Sequence, residues 1–305
     1  MKPNFCVTIL GKSSALPTST SFPSSQLVRY HNASFLVDCG EGCQIQIRRN
    51  KIGLANIKHI FISHMHGDHY FGLFGLFSSM QLLGRKKILH VYAHPKLESL
   101  IKLVFYHNGN TLGFPVIFHS LDFSEKSLIY SSKKLDIFSF PLRHRIPTCG
   151  FLFQEKQGDK NIKKSAIEDY NLSYTEIRRI KSGADLTRDN NFIAGNDALT
   201  LPDAVPRSYA YCSDTGYYPE MVKYIRGVQY LYHEATYADD MEGSGEARFH
   251  ATGRQAGKIA RAAGAKKLLL GHFSTRYKSY SIIERQAREE FAESYAVNEN
   301  DLYCL

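Results

Sequence analysis

Apolar residues along the chain fall into short runs that alternate with segments of helical spacing. His59–Ser63 is a β-branched and aromatic run typical of a strand, and Gly72–Leu83 places its apolar residues at helical spacing before Gly84. The same alternation returns near the end, with a helix predicted over Thr252–Ala263 and a strand over Lys267–Gly271. Short strands that alternate with helices predict the α/β class. Several early strands precede the first long helix, which favours a layered sandwich over a simple doubly wound sheet.

Residues 155–205 break this pattern. The segment is polar, rich in lysine at its start and only weakly helical over Ile167–Lys181, so we interpret it as an arm inserted into the core. A long polar segment of this kind is either functional or disordered, and a disordered surface loop is the alternative. After the core pattern returns, the tail Ile282–Tyr295 predicts a charged helix.

Composition limits the possible classes of protein. The chain has 305 residues and is 43% hydrophobic and 22% charged, which is ordinary for a protein with a sizeable core. No apolar run approaches the roughly 18 residues that a membrane span requires, and the first residues lack the pattern of a signal peptide. We therefore expect a cytoplasmic protein with no membrane partner. The six cysteines, among them Cys6 and Cys304, form no CxxC pair and are expected to be reduced and buried.

The net charge of +9 is spread over several basic clusters. A positive surface attracts a polyanion and steers it towards the protein. Solvated surface charge is the alternative interpretation, so the charge is informative only together with the chemical motifs.

The densest chemical signal is the run HMHGDH at residues 64–69, which directly follows a predicted strand. Imidazole and carboxylate groups are the ligands that zinc takes in catalytic sites. His64 and His66 can converge on one ion, while Asp68 and His69, around the intervening glycine turn, can face a neighbouring ion. Core histidines usually occur singly, so a purely structural origin of this cluster is disfavoured.

Three further candidate ligands stand alone at the ends of predicted strands, namely His144, Asp214 and His272. Taken singly, each could be an ordinary turn residue. Their shared placement favours a common role, because groups at the ends of several strands can meet at one edge of a sheet. We interpret them as the ligands that complete a two-metal site with the first motif.

An HxHxDH motif followed by isolated His, Asp and His residues resembles the metallo-β-lactamase superfamily. More local motifs, in the same order along the chain, resemble the ribonuclease Z family within it: FLVDCGEGCQIQIRR at 35–49, SHMHGDHYFGLFGLFSS at 63–79, HRIPTCGF at 144–151, SDTG at 213–216, HEATY at 233–237, FHATGRQAGKIA at 249–260 and GHFSTRY at 271–277. The resemblance covers nearly the whole chain. It implies a single metallo-β-lactamase domain over 1–305, folded as an αββα four-layer sandwich with its metals at one edge of the paired sheets and with a tRNA-binding arm inserted at about 155–205.

The resemblance also implies a ligand set and a reaction. One Zn²⁺ would take His64, His66 and His144, the other would take Asp68, His69 and His272, and Asp214 would bridge the two. The implied reaction removes the 3′ trailer from precursor tRNA by two-metal phosphodiester hydrolysis and leaves a tRNA 3′-hydroxyl. Asp68 would accept the proton of the attacking water, and His250, oriented by Glu234, would protonate the leaving oxygen. A structural ion pair between His233 and Glu234 is the alternative for those two residues.

In the family, the arm of one subunit helps to hold the tRNA that the other subunit cleaves, so the resemblance implies a homodimer. The expected phosphate contacts are Lys156, Lys160, Lys163 and Lys164 in the arm and Arg276 in the last motif. The chain departs from the family in two places. Its arm reads DYNLSYTEI where many bacterial members have a Gly-Pro-rich turn, and Gly216 stands where an arginine often follows the SDT motif.

Other functions stay open on the sequence alone. A phosphodiesterase or exoribonuclease acting on other RNA or on small phosphodiesters would use the same metal site. A flavodiiron oxidoreductase would show a glutamate in the first motif and an attached flavin domain, and this chain has neither. A non-catalytic RNA-binding relative would be expected to lose metal ligands, whereas every ligand position here is filled. The sequence does not decide between zinc and other divalent metals.

Overall fold

The computed structural model describes residues 4–106, 111–203 and 205–305. The strands are β1 (Phe5–Gly11), β2 (Ser25–Tyr30), β3 (Ala33–Val37), β4 (Ile57–Phe61), β5 (Leu89–Ala93), β6 (Val116–Ser120), β7 (Ser127–Ser131), β8 (Leu135–Pro141), β9 (Cys149–Glu155), β10 (Leu186–Arg188), β11 (Asn191–Ala194), β12 (Ser208–Cys212), β13 (Tyr230–Glu234), β14 (Lys267–Gly271), β15 (Ser294–Ala296) and β16 (Leu302–Cys304). The helices are α1 (Cys43–Arg49), α2 (Gly67–Tyr70), α3 (Gly72–Leu82), α4 (Lys96–Phe105), α5 (Lys164–Asp169), α6 (Tyr174–Lys181), α7 (Asn196–Leu199), α8 (Val222–Ile225), α9 (Glu242–Arg248), α10 (Gly253–Ala263) and α11 (Ser281–Arg288). Within the described ranges, none of these helices has the length and apolar character that crossing a membrane requires.

The first sheet joins the early strands to the last one, in the order β16-β1-β2-β3-β4-β5-β6. β2 and β3 form an antiparallel pair, with Val28 opposite Phe35. From β3 onward the neighbours are parallel, and parallel neighbours require crossover connections, which contain α1, α3 and α4. The carboxyl end of β4 therefore opens at one edge of the sheet, where the chain continues into His64.

The second sheet has the order β15-β14-β13-β12-β9-β8-β7. Strands β12 to β15 are parallel, with Cys212 opposite His233 and Glu234 opposite Gly271. This register brings the carboxyl ends of β12, β13 and β14 to the same edge. Residues that follow these strands directly are therefore placed side by side.

Apolar packing arranges the sheets and helices in four layers. Aromatic rings fill the space between the sheets, with the Phe35 and Phe153 ring centres 5.8 Å apart and those of Phe61 and Phe151 5.5 Å apart. Helices α1, α3 and α4 bury apolar side chains on the outer face of the first sheet, including Ile47, Phe77 and Leu97. Helix α10 packs on β13 and β14 of the second sheet. The predicted αββα sandwich is confirmed.

Helix α10 shows how the local sequence determines this packing. Thr252 and Gln255 form a capping box at its start, and Gly264, at φ 64°, ends it in the left-handed conformation. A Cβ atom on Gly257 would lie 2.6 Å from the carbonyl oxygen of Ala287 in α11. The close approach of α10 and α11 therefore requires glycine at this position.

The segment interpreted as an arm is a compact unit of its own, formed by Gln154–Arg207 with Ser131–Asp136. Its helices α5, α6 and α7 and the β10–β11 hairpin enclose a small apolar core made of Ala166, Leu172, Ile180, Leu186, Ala194 and Leu199. Ser173 begins α6 through a capping box with Glu176. The segment thus has a packed core, which a disordered surface loop would lack.

The helix predicted over Ile282–Tyr295 is wrong in its second half. Helix α11 ends at Arg288, and Ser294–Ala296 forms β15 instead. Tyr295 pairs in parallel with Leu269 of β14. The open edge of the sheet supplies these backbone hydrogen bonds, and such a tertiary partner cannot be read from local spacing.

The expectation that every cysteine is a free thiol is wrong for two of them. Cys6 and Cys304 form a disulfide, because β16 returns antiparallel to β1 and sets these residues opposite each other. The remaining cysteines, Cys39, Cys43, Cys149 and Cys212, are free and buried as expected.

Candidate metal centre

The candidate ligands predicted from sequence lie together at the edge where the parallel strands of both sheets end. β4 leads into the HMHGDH run, β12 into Asp214 and β14 into His272, while His144 follows β8. Asp214 and His272 have φ of 51° and 55°, a left-handed conformation that is unfavourable for residues other than glycine. Strain of this kind persists where the surrounding structure enforces it, and it clusters at functional sites.

One group of ligand atoms gathers around Asp214 Oδ2. His66 Nδ1 lies 3.0 Å from His64 Nε2 and 3.2 Å from His144 Nε2. Asp214 Oδ2 lies 3.5 Å from His64 Nε2 and 3.8 Å from His144 Nε2. Atoms at such separations can surround one cation, because zinc binds nitrogen and oxygen ligands at about 2.0–2.2 Å. These four residues therefore could hold one metal ion.

The other oxygen of Asp214 faces a second group. Asp214 Oδ1 lies 3.0 Å from both His69 Nε2 and His272 Nε2, and Asp68 Oδ2 lies 3.5 and 3.6 Å from the same two nitrogens. Both nitrogens are buried, yet within the described residues neither makes a hydrogen bond of acceptable geometry. A buried polar atom without a partner is costly, so a cation between these imidazoles and carboxylates fits the arrangement. Asp214 thus faces both groups of candidate ligand atoms with its two oxygens.

In His144 and His272, the ring nitrogen that points away from the centre has its own partner. His144 Nδ1 lies 3.1 Å from the carbonyl oxygen of Phe249, and His272 Nδ1 lies 3.0 Å from Thr236 Oγ1. Contacts of this kind fix the orientation of a metal-binding histidine and direct its other nitrogen to the ion. Phe249 and Thr236 are residues to which sequence motifs alone assigned no role.

Asp38 holds His69 in the same way. Its Oδ2 lies 2.7 Å from His69 Nδ1 and accepts hydrogen bonds from Ser63 Oγ at 2.9 Å and the Tyr211 hydroxyl at 2.7 Å. Burial, followed by the charge of Asp38, raises the pKa of Tyr211, so this hydroxyl keeps its proton and donates it. Asp38 directly follows β3, and Asp214 likewise lies just after β12. This position at the end of a strand is the sequence feature that indicates a role for Asp38 at the site.

The charge of the cluster also suits a divalent cation. Burial lowers the pKa of His64 and of His66, and the neutral imidazole is the form that binds metal. Burial acts to lower the pKa of His272 too, but the charge of Asp214 outweighs it and raises that pKa to about 10. The buried carboxylates therefore attract positive charge to the place where a metal ion would lie.

Asp68 is held by the backbone as well as by the cluster. The Ala15 N–H donates to Asp68 Oδ2 at 2.8 Å, and Ala15 itself has φ 55°. Burial would raise the pKa of Asp68, but the charge of His69 and the imidazoles of His272 and His69 that face its carboxylate hold that pKa well below its ordinary value. Asp68 is therefore a carboxylate with Oδ2 engaged in the cluster.

His250 lines the same cavity, which has a volume of about 670 Å³. Its Nδ1 lies 2.8 Å from Glu234 Oε1, and Glu234 is fully buried and accepts N–H bonds from Thr215 at 2.9 Å and Ala251 at 3.2 Å. Burial acts to lower the pKa of His250, but the charge of Glu234 outweighs it and raises that pKa. The structural ion pair considered for His233 is not formed, because its Nδ1 contacts the Glu234 carbonyl oxygen at 2.7 Å.

The candidate phosphate contacts differ in their surroundings. Three lysines of the arm contact other atoms of the arm: Lys156 Nζ lies 3.1 Å from Asp136, Lys160 Nζ lies 2.9 Å from Asp197, and Lys163 Nζ donates to the Ala198 carbonyl oxygen at 2.8 Å. Lys164 is exposed and makes no ion pair with any described residue. The Arg276 guanidinium lies 5.9 Å from the centre of the Tyr237 ring, which lines the cavity.

The four layers and the ligand cluster at their edge define a protein of the metallo-β-lactamase fold. The structure matches that of the short form of human tRNase Z with a TM-score of 0.70 and 23% identity, over 98% of each chain. It matches the metallo-β-lactamase fold protein YhfI of Bacillus subtilis with a TM-score of 0.70 and 17% identity, over 99% of each chain. At these identities the similarity shows the fold.

Sequence similarity defines the family. The chain is 46% identical to a ribonuclease Z of Phocaeicola vulgatus over 297 residues, which cover 97% of this chain and 96% of the relative. The chain belongs to the ribonuclease Z family, and this membership together with the His/Asp cluster indicates that it uses divalent metal. A family model described as Anti-Pycsar protein Apyc1 also matches residues 5–156, a stretch that ends before Asp214, His250 and His272.

Proposed function

We propose that this chain is a metal-dependent endoribonuclease that cleaves the 3′ trailer from precursor tRNA and leaves a tRNA 3′-hydroxyl. The observation that carries the proposal is the placement of Asp214, whose two oxygens face two separate groups of ligands. A bridged pair of metal ions is a common solution for phosphodiester hydrolysis. The choice of substrate is supported by relatives named ribonuclease Z that match over nearly their full length.

The proposed centre holds two Zn²⁺ ions per subunit. His64, His66 and His144 would hold the first, Asp68, His69 and His272 would hold the second, and Asp214 would serve both. Imidazole and carboxylate are typical zinc ligands, although manganese accepts carboxylates equally well. Bound divalent ions supply two things here: a lower pKa for a shared water and stabilisation of charge on the phosphate oxygens.

The residues of the chain itself supply the proton transfers. Asp68 orients the attacking water and takes its proton, with the carboxylate held in place by the Ala15 N–H. His250 donates a proton to the leaving 3′-oxygen, a step that contributes roughly 10²–10⁴-fold. Glu234 fixes His250 Nδ1 at 2.8 Å and helps to keep the ring protonated. Glu234 therefore acts through His250 and is a positioning residue.

The proposal extends to the body of the substrate. The arm at 155–205 binds tRNA, with Lys164 contacting phosphate directly and with Lys156, Lys160 and Lys163 exchanging their contacts within the arm for phosphate oxygens. Arg276 contacts phosphate beside the cavity. An arm that holds the tRNA cleaved by another subunit requires a homodimer, which light scattering would detect, and a precursor-tRNA substrate is consistent with a cytoplasmic location.

The test is cleavage of a 3′-extended precursor tRNA by the metal-loaded protein, beside an unstructured RNA of equal length and a small phosphodiester. One cut after the discriminator nucleotide, abolished by a chelator, restored by added zinc and absent in Asp68→Ala, supports the proposal. If the protein hydrolyses the small phosphodiester but leaves precursor tRNA uncut, tRNA is excluded as the substrate and the proposed metal centre stands. Progressive shortening of both RNAs would favour the exoribonuclease alternative.

A further inference from the structure

A second hollow, of about 510 Å³, adjoins the catalytic cavity. His144 and Arg145 line both spaces, so a chain bound across the metal centre can continue into the hollow. Its lining includes the rings of His94 and Phe123, whose centres are 5.7 Å apart, and the apolar side chain of Leu142. Flat rings, apolar surface and a cation beside a phosphodiester-cleaving centre are the features that bind single-stranded nucleotides.

A tight turn between β6 and β7 holds Phe123 in place. Asp122 Oδ1 accepts the Ser124 N–H at 2.7 Å and the Ser124 hydroxyl at 2.6 Å, which is the pattern of an Asx turn. The Asp122 carboxylate is thereby engaged on its own loop. The Phe123 ring is half-buried, so it is anchored on one side and leaves surface open to the hollow.

Arg145 places a positive charge where the two spaces meet. Its Nη2 lies 3.4 Å from His66 Nε2, and it is exposed and makes no ion pair with the residues that the structure describes. His66 directs Nδ1 towards His64 and His144, so a neutral ring that binds metal through Nδ1 carries its proton on Nε2. That nitrogen then cannot accept from Arg145, and the guanidinium is available to a phosphate oxygen.

We propose that this hollow binds the nucleotide next to the scissile phosphate, with its base stacked on Phe123 and His94 and its phosphate contacted by Arg145. The inference rests on the proposed function, because it requires RNA to pass through the metal centre. Stacking tolerates every base, which suits an enzyme whose substrates differ in sequence around the cut. The first trailer nucleotide and the last tRNA nucleotide offer the same chemistry, so the experiment must distinguish them.

The experiment compares Phe123→Leu, Phe123→Tyr and the matched control Phe291→Leu, which alters a half-buried phenylalanine outside both spaces. Each zinc-loaded variant is assayed on three substrates. These are intact precursor tRNA, a precursor that is abasic at the first trailer nucleotide, and a precursor that is abasic at the last tRNA nucleotide. We expect Phe123→Leu to lower kcat/KM on intact precursor roughly 5- to 150-fold, the range for one stacked base, with Phe123→Tyr and the control near wild type. With the abasic substrate that lacks the stacked base, Phe123→Leu and wild type are expected to be equal.

The abasic substrate that abolishes the effect of Phe123→Leu identifies the bound nucleotide. The inference is overturned if Phe123→Leu cleaves intact precursor as well as wild type does, or if its full loss persists with both abasic substrates. If the wild-type protein leaves precursor tRNA uncut, the proposed function itself fails, whatever the variants do. If wild type and Phe123→Leu cut equally well, only the nucleotide site fails.

Discussion

The substitution Asp38→Asn tests whether the carboxylate behind His69 supports metal binding. Oδ2 of Asp38 meets three groups, at 2.7 Å from His69 Nδ1, 2.9 Å from Ser63 Oγ and 2.7 Å from the Tyr211 hydroxyl, while Oδ1 accepts the Ser63 N–H at 2.8 Å. A carboxylate accepts from all of them. An asparagine has the same shape but carries an NH₂ group at one of the two positions. In either orientation, a donor then faces a donor in a fully buried site.

The magnitude follows from these contacts. Loss of a partner that orients a metal-binding histidine lowers metal affinity roughly 10–100-fold, which corresponds to about 1.4–2.7 kcal/mol. A buried donor left without an acceptor costs about 1–3 kcal/mol of stability. We therefore expect Asp38→Asn to fold with a lower Tm and to bind zinc near His69 roughly 10–100-fold more weakly. Cleavage of precursor tRNA is expected to recover as zinc is raised to saturation.

The assay is a zinc titration against a competing chelator, with precursor-tRNA cleavage and thermal unfolding measured on the same samples. Glu299→Gln is the matched control, because Glu299 also accepts several hydrogen bonds, from Ser21 Oγ at 2.9 Å and the Phe22 N–H at 2.6 Å, but does not contact a candidate ligand. The control is expected to lose stability without losing zinc affinity. Wild-type zinc affinity in Asp38→Asn, or an equal loss of affinity in the control, would refute the reasoning.

Three further predictions address the acid, the arm and the termini. His250→Ala is expected to lower kcat roughly 10²–10⁴-fold while the Kd for precursor tRNA changes little, and an equal loss of both in a filter-binding and cleavage series would contradict its role. Lys164→Ala is expected to weaken tRNA binding and to reduce the slope of log K against log salt concentration by about one unit. Lys160→Ala is expected to have a smaller effect, because Lys160 is paired within the arm. A larger effect of Lys160→Ala than of Lys164→Ala would contradict the arm contacts. Reduction of the Cys6–Cys304 disulfide is expected to destabilise the fold by about 2–4 kcal/mol without changing kcat, and calorimetry that gives the same Tm with and without a thiol reductant would contradict the first part.

Local sequence predicts that the candidate ligands of the first motif lie together, for a physical reason. His64, His66, Asp68 and His69 are close in sequence, so one strand and one turn place them together whatever the rest of the chain does. The isolated candidate ligands are more difficult to predict, because each one indicates a metal site only when the strands before them end at a common edge. The sequence nevertheless places both Asp214 and His272 at the ends of predicted strands, and the parallel register of these strands brings the two residues to the same edge.

The residues that support the ligands could not be assigned from local pattern. Tyr211 reaches Asp38 across 173 positions of sequence, and Thr236 meets His272 only because two parallel strands are neighbours. The Ala15 N–H that holds Asp68 belongs to a polar loop without helical or strand spacing. Such contacts depend on the pairing of distant segments, and short-range propensity carries no information about that pairing.

The same limit explains the errors near the end of the chain. Leu302–Cys304 becomes a strand because β1 offers it an edge, and the disulfide follows from that pairing. Neither β1 nor the tail, taken singly, indicates the contact. Within the arm, by contrast, the Ser173 capping box with Glu176 is a local signal, and it explains why weak helical spacing there resolves into separate short helices.

The most direct test of the account is the chemistry of the ends produced from a 3′-extended precursor tRNA by the zinc-loaded protein. The account predicts one tRNA product that ends in a 3′-hydroxyl after the discriminator nucleotide, one trailer that begins with a 5′-phosphate, and neither product in the presence of a chelator. A 2′,3′-cyclic phosphate on the tRNA product, or cleavage that persists after the metal is removed, would contradict metal-dependent hydrolysis at the candidate centre around Asp214.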